Sequence, residues 1–265
     1  RNLAIIAHVD HGKTTLVDAL IKQGLSSQKN QKLGDLIMDS NPLERERGIT
    51  ILAKNTAVFY KGTKINIIDT PGHADFSGEV ERIMNMADGC LLVVDAVDGP
   101  MPQTYYVLKQ ALEQNVKPIV VINKIDRKES RVDEVIEMVQ DLFLELVTKS
   151  EDLDFPILFA SAKENYSIDS IDSPKKNMEP LLDSIIENIP APNVEDHKPF
   201  QMLVAALDFD NYLGQIAIGR IFSGKVTEKQ QVSLLRTNGE NQNYTIEKLF
   251  VFQELSKKEV SEVES

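Results

Sequence analysis

The sequence predicts an α/β domain with a mainly parallel, doubly wound sheet, followed by a partial all-β barrel module. Three observations carry this expectation. Over the first two thirds of the chain, short runs rich in Ile, Val and Leu alternate with segments of helical apolar period. Pro190-Ala191-Pro192 then begins a stiff, charged stretch that runs to Pro199. Beyond it, strand-like runs are separated by turn residues and no helical period stands out.

Taken in order, residues 3–7, 64–69, 90–95, 119–123 and 157–160 are continuous apolar runs, as strands covered on both faces should be. Residues 14–24, 74–87, 103–115, 132–147 and 178–189 read as the intervening helices. Residues 23–50 break the rhythm: the segment is polar, lacks a long apolar period, and reads as a long loop of the functional or mobile kind. The expected domains are residues 1–190, a linker at 191–199, and the barrel module at 200–265. Strands of that module are expected at 200–207, 214–222, 231–236 and 244–252, while 254–265 is charged and aperiodic.

Composition narrows the classes. A length of 265 residues suits one ordinary domain plus a smaller one, and 42% hydrophobic with 26% charged residues is globular composition. Lys and Arg total 29 against 41 Asp and Glu, a net charge of −12. That balance argues against non-specific binding to DNA, which rests on many basic contacts to phosphate. Cys90 is the single cysteine, so no intrachain disulfide forms. No apolar run reaches the roughly 20 residues that span a bilayer. The opening at Arg1, without an apolar signal segment, reads as an excerpt of a cytoplasmic protein.

The chemistry is written at the strand ends. Ala7-His-Val-Asp-His-Gly12-Lys13-Thr14 follows the first strand and opens the first helix. This is the phosphate-binding loop pattern G-x-x-x-x-G-K-[ST], with Ala7 in place of its first glycine. Backbone N–H groups across Asp10, His11, Gly12, Lys13, Thr14 and Thr15 would cradle the α- and β-phosphates, and the Lys13 ammonium would neutralise β/γ charge. The Thr14 hydroxyl would ligate Mg²⁺. Asp69-Thr70-Pro71-Gly72 ends the second strand. Its carboxylate would hold Mg²⁺ through water, and the Gly72 N–H would meet a γ-phosphate.

Asn123-Lys124-Ile125-Asp126 decides the base. Asp126 can accept hydrogen bonds from the N1–H and 2-amino group of guanine, and adenine offers neither donor there. The Lys124 stem can lie along the base. Ser161-Ala162-Lys163, after the fifth strand, would supply an N–H to the guanine O6. The pattern therefore points to GTP and GDP with Mg²⁺, and Asp126 opposes an ATP-dependent enzyme. His73, next to Gly72, is the candidate to orient the attacking water, as hydrolysis requires. Its presence favours a hydrolase over a binding module that uses GTP only to order a docking surface.

Together A-H-V-D-H-G-K-T-T, E-R-E-R-G-I-T, D-T-P-G-H-A-D-F and N-K-I-D resemble the translational GTPases, the group of elongation factors Tu and G. Within that group, I-L-A-K-N-T-A-V, G-E-V-E-R-I-M, V-D-G-P-M-P-Q-T and L-D-F-P-I are similar to the BipA family, also called TypA. Phe209-Asp-Asn-Tyr-Leu-Gly214 is similar to the LepA family, the subfamily alternative. The resemblance implies a ribosome-stimulated GTPase whose partner, through the full-length protein, is the ribosome; the expected state is a monomer. It implies that Thr50 completes Mg²⁺ coordination in the GTP state and that His73 orients water. Val9 and Ile49 match an apolar gate around that histidine, and Asp10 matches an aspartate proposed to couple the site to ribosomal RNA. It also implies three further domains after an unfinished barrel.

Overall fold

The computed structural model describes residues 1–26, 54–70, 77–147, 153–193, 195–236, 238–253 and 256–265. They divide into two compact units, Arg1–Ala191 and Pro192–Ser265.

The first unit is built on a seven-stranded sheet in the order β2-β3-β1-β4-β5-β6-β7. Its central strands are β1 (Asn2–Ala7), β3 (Thr63–Asp69), β4 (Gly89–Asp95), β5 (Lys117–Asn123) and β6 (Ile157–Ser161), and they pair in parallel. Antiparallel strands β2 (Lys54–Tyr60) and β7 (Tyr166–Ile168) close the two edges. The helices are α1 (Lys13–Ser26), α2 (Ser77–Met84), α3 (Pro102–Glu113), α4 (Val132–Leu146) and α5 (Glu179–Asn188).

Alternation along the strands explains the layers. Leu3, Ile5, Leu91, Val93, Ile119 and Val121 face one core, shared with Leu16 and Leu20 of α1 and with Leu181 and Ile185 of α5. Their neighbours Ala4, Ile6, Leu92, Val94, Val120 and Ile122 are equally buried and point to the opposite face. Helix α3 packs on β1, β4 and β5, burying Leu108 and Ala111. Helix α4 buries Val135, Val139 and Phe143 at helical spacing, and Phe143 stacks on Phe155 with ring centroids 3.6 Å apart. Continuous apolar strands are therefore sandwiched between helices, the doubly wound arrangement.

Some local expectations change. The loop expected from Gln23 starts later, because α1 runs through Ser26. Gly24 sits inside that helix because β2 passes close by, and a Cβ there would collide with Val58. Gln23 also accepts a hydrogen bond from the Met178 N–H at 3.4 Å. Strands β2 and β7 were not anticipated, and the run expected at 244–252 is two strands broken at residues 246–248. The rest of the expected 23–50 loop, with Ile49 and Thr50, lies outside the described residues, as do Gly72 and His73.

Among the described residues, the second unit holds four antiparallel pairs. Strand β8 (Gln201–Asp210) pairs with β9 (Gly214–Ser223), β10 (Lys225–Thr227) with β15 (Glu262–Glu264), β11 (Gln231–Leu235) with β12 (Asn241–Thr245), and β13 (Leu249–Gln253) with β14 (Ser256–Val260). The charged tail expected to be aperiodic thus forms β14 and β15, held by backbone pairing. The stretch before β8 joins this unit: the Gly224 N–H donates to the Glu195 carbonyl at 3.1 Å, and the Ser223 hydroxyl to the Pro199 carbonyl at 2.8 Å.

Candidate nucleotide site

All the described motif residues gather at the carboxyl edge of the parallel strands, where open α/β sheets take their ligands. The phosphate loop leaves β1 and enters α1. Asp10 and Gly12 have φ of 64° and 88°, which turns successive backbone groups to one side. Leu16 N–H donates to the Gly12 carbonyl at 2.9 Å, so the helix starts directly from the loop. Asp10 is exposed, Val9, Thr14 and Thr15 are half-buried, and Lys13 is buried.

Lys13 is turned onto the end of β3. Its Nζ lies 2.6 Å from Asp69 Oδ1 and also donates to the Thr70 carbonyl. Asp69 has no exposed surface. Thr70 anchors this corner through its hydroxyl, which donates to the Ile5 carbonyl at 2.7 Å. The ammonium of the first motif and the carboxylate of the second are thereby adjacent.

On the base side, Asn123 acts as a strut. Its Nδ2 donates to the His11 carbonyl at 3.0 Å, and its Oδ1 accepts the Ala162 N–H at 3.1 Å. One buried amide thus ties together the phosphate loop and the loop after β6. Lys124 has a φ of 66°, which reverses the chain after β5 and leaves Asp126 exposed at the rim. Ser161 and Ala162 are buried and Lys163 is exposed. The Ser161 Oγ accepts the Glu164 N–H at 3.2 Å, closing that loop on itself.

Two features exceed the sequence reading. His11 turns its ring inward: Nδ1 lies 3.3 Å from the Val93 carbonyl oxygen and 3.4 Å from the Asp95 nitrogen. Nε2 is buried with no hydrogen-bond partner among the described residues. Burial is the chief cause holding this imidazole below its ordinary pKa, with His8 and Lys124 adding to it and the Val93 carbonyl and Asp95 opposing. The His11 ring is thus committed to the strand ends, and its main-chain carbonyl to Asn123. The second feature is Asp95, whose Oδ2 lies 2.5 Å from Lys124 Nζ. A carboxylate closing a fully apolar strand was the available signal, since such a group needs a partner.

Among the described residues, no three His, Cys, Asp or Glu side chains cluster as a metal cage, and no helix is long and apolar enough to cross a membrane.

The model of the Elongation factor Tu GTP binding domain family matches residues 1–191. The Large ribosomal subunit assembly factor BipA of Bacillus subtilis (strain 168) is 54% identical over 265 residues, covering 100% of this chain and 43% of the relative. The factor of the same name from Synechocystis sp. is 50% identical over 262 residues, covering 99% of this chain and 44% of the relative. The chain thus spans less than half the length of these relatives. Among solved structures, a bacterial selenocysteine-specific elongation factor EF-Sec superposes with a TM-score of 0.73 at 26% identity, covering 100% of this chain and 40% of the other. Elongation factor SelB from Methanococcus maripaludis, solved with a GTP analogue, gives a TM-score of 0.73 at 23% identity, covering 100% and 49%; this likeness concerns the fold alone. With relatives of this name, the BipA likeness takes precedence over the LepA one. Lys13, Asp69 and the Asn123–Asp126 segment stand on one sheet edge within the matched region, and the chain belongs to the Elongation factor Tu GTP binding domain family and is similar to translational GTPases of BipA type.

Proposed function

We propose that this protein binds GTP with Mg²⁺, hydrolyses it to GDP and phosphate, and couples the cycle to the ribosome in the cytoplasm. Its task on the ribosome would be that named for its relatives, assembly of the large subunit. The observation that carries the reading is the convergence of Lys13, Asp69, Lys124 and Asp126 at one edge of the sheet.

The residues present suit a hard divalent cation. One buried carboxylate, Asp69, abuts the first turn of α1, where the Thr14 hydroxyl belongs, and oxygen donors completed by phosphate and water are the usual magnesium set. Thr14, Thr50 and Asp69, the last through water, would hold it. When bound, the ion would neutralise charge across the β- and γ-phosphates. Lys13 would exchange its Asp69 partner for phosphate oxygens. Asp126 would accept the two guanine donors, with the Lys124 stem along the base and an N–H of the 161–163 loop at O6. Gly72 would sense the γ-phosphate, and His73 would orient the attacking water. Asp10, Val9 and Ile49 would link the site to ribosomal RNA and gate that histidine. We take the acting species as a monomer without affinity for DNA in general, in keeping with its net charge of −12.

Single-turnover hydrolysis by the full-length protein, with and without saturating ribosomes, tests this. Stimulation is expected in the wild type, and His73→Ala should bind GTP almost normally yet lose about 10²-fold of the stimulated rate. No stimulation of the wild type would refute the coupling. Wild-type stimulation in His73→Ala would refute the water-orienting role.

A further inference from the structure

Asp95 belongs to none of the nucleotide motifs, yet it is fully buried at the end of β4. A carboxylate there is costly unless it is paired. Oδ1 accepts the Val97 N–H at 2.8 Å. Oδ2 lies 2.5 Å from Lys124 Nζ and 3.8 Å from Arg127 Nη1. Burial works against ionisation, but the Lys124 ammonium and the Val97 N–H hold the carboxyl below its ordinary range.

The turn that presents Asp95 is strapped from several sides. The Gly99 N–H donates to the Asp95 carbonyl at 2.9 Å, and the Ala96 N–H to the Asn123 carbonyl at 2.8 Å. From the start of α4, Arg131 donates through Nε to the Val97 carbonyl at 2.7 Å and through Nη2 to the Asp98 carbonyl at 3.2 Å. Lys124, held by this fixed carboxylate, also donates to the carbonyl of Asp10 in the phosphate loop. The Asp95 backbone nitrogen meets His11 of the same loop at 3.4 Å.

We infer that Asp95 is a positioning residue for nucleotide binding: its carboxylate fixes Lys124 across the base loop and the phosphate loop before the ligand arrives. The inference rests on the guanine-nucleotide reading above and deepens it. An unpaired lysine stem samples many rotamers, and that freedom would be lost when the base packs along it. Pairing with Asp95 removes the loss in advance, which is how preorganisation raises affinity. The role is distinct from base selection, because Asp95 would touch neither base nor phosphate.

The test uses the full-length protein, fluorescent GDP, and the isosteric variant Asp95→Asn. Affinity for GDP should fall about tenfold, mainly through faster dissociation, with the preference for GDP over ADP unchanged. In a Lys124→Ala background, adding Asp95→Asn should cost no more than about twofold further, because the two side chains act as one unit. A purely structural carboxylate predicts otherwise: equal losses in both backgrounds, or a lower Tm with GDP affinity intact. Either result overturns the assignment. Should Asp95→Asn not fold, hydrogen exchange in empty Lys124→Ala carries the test. Amides of residues 8–13 should lose about tenfold or more of their protection, and unchanged protection overturns the inference. A wild type that binds ADP as tightly as GDP would sink the guanine reading and this assignment with it. An intact GDP preference without coupling sinks the assignment alone.

Discussion

Lys13 Nζ and Asp69 Oδ1 lie 2.6 Å apart, and both side chains are buried. The cation that we propose for phosphate is thus paired with the carboxylate that we propose for the metal, so the two charges are desolvated together. Removing one partner of such a pair is far worse than removing both. Lys13→Met should destabilise the nucleotide-free protein by about 3–5 kcal/mol. Adding Asp69→Asn should recover part of that loss. Denaturant unfolding without nucleotide measures both variants, and full additivity of their effects would show that the pair is not coupled.

Gly12 offers a second check on the loop. Its φ is 88°, and a Cβ there would meet the Asn123 amide that ties the two loops together. Gly12→Ala should cost about 1–2 kcal/mol of backbone strain alone. It should also weaken GDP binding at least about tenfold, because the strut must move. Isothermal titration with GDP reads the second effect, and wild-type affinity would mean that the loop tolerates the displaced amide.

Much of this site was legible because the motifs follow strands that are apolar throughout. Residues 64–69 and 119–123 end in Asp69 and Asn123, and the structure puts both at one sheet edge. Strand β2 escaped because it lies on a sheet edge and its apolar run is only four residues long, A-V-F-Y after the polar K-N-T. Strand β14 is S-K-K-E-V, mostly exposed, and its pairing with β13 is a matter of backbone hydrogen bonds that side-chain pattern does not report. Asp95 escaped for another reason. As the acid that closes an apolar strand it signals the need of a partner, but only the third dimension identifies that partner as Lys124.

The buried His11 makes acid stability a measurable property of the loop. Its folded pKa lies below 6.5, chiefly through burial. On acidification the unfolded chain therefore takes up the proton first. The contribution is fully present above pH 6.5, is lost as pH falls through that value, and goes on falling until the folded pKa is reached. Wild-type stability should drop by up to about 1.4 kcal/mol per pH unit from this group just below pH 6.5. His11→Asn should flatten that part of the curve, whatever its effect at pH 8. Urea unfolding from pH 8 to 5 provides the comparison, and parallel curves would mean that the ring titrates as in the unfolded chain.

The base preference is the sharpest chemical expectation. Asp126 is exposed at the rim, free of the packing that commits Asn123, and follows the reversal at Lys124. A carboxylate in that position can accept from both the N1–H and the 2-amino group of guanine. Hydrogen bonds to a charged group contribute about 1.5–3 kcal/mol, so Asp126→Asn should weaken GDP binding roughly 10- to 150-fold. Xanthine carries a carbonyl where guanine has its amino group, and the asparagine amide can donate to it. The variant should therefore gain affinity for xanthosine diphosphate while losing it for GDP. Because Asn123, Lys124 and the phosphate loop are untouched, the fold and the phosphate contacts should persist, and the two nucleotides should differ only through the base. Competition titrations of wild type and variant with both diphosphates decide the matter. Unchanged GDP affinity would remove Asp126 from the base site. Equal losses for both nucleotides would mean that the substitution disturbs the loop rather than its hydrogen-bond pattern.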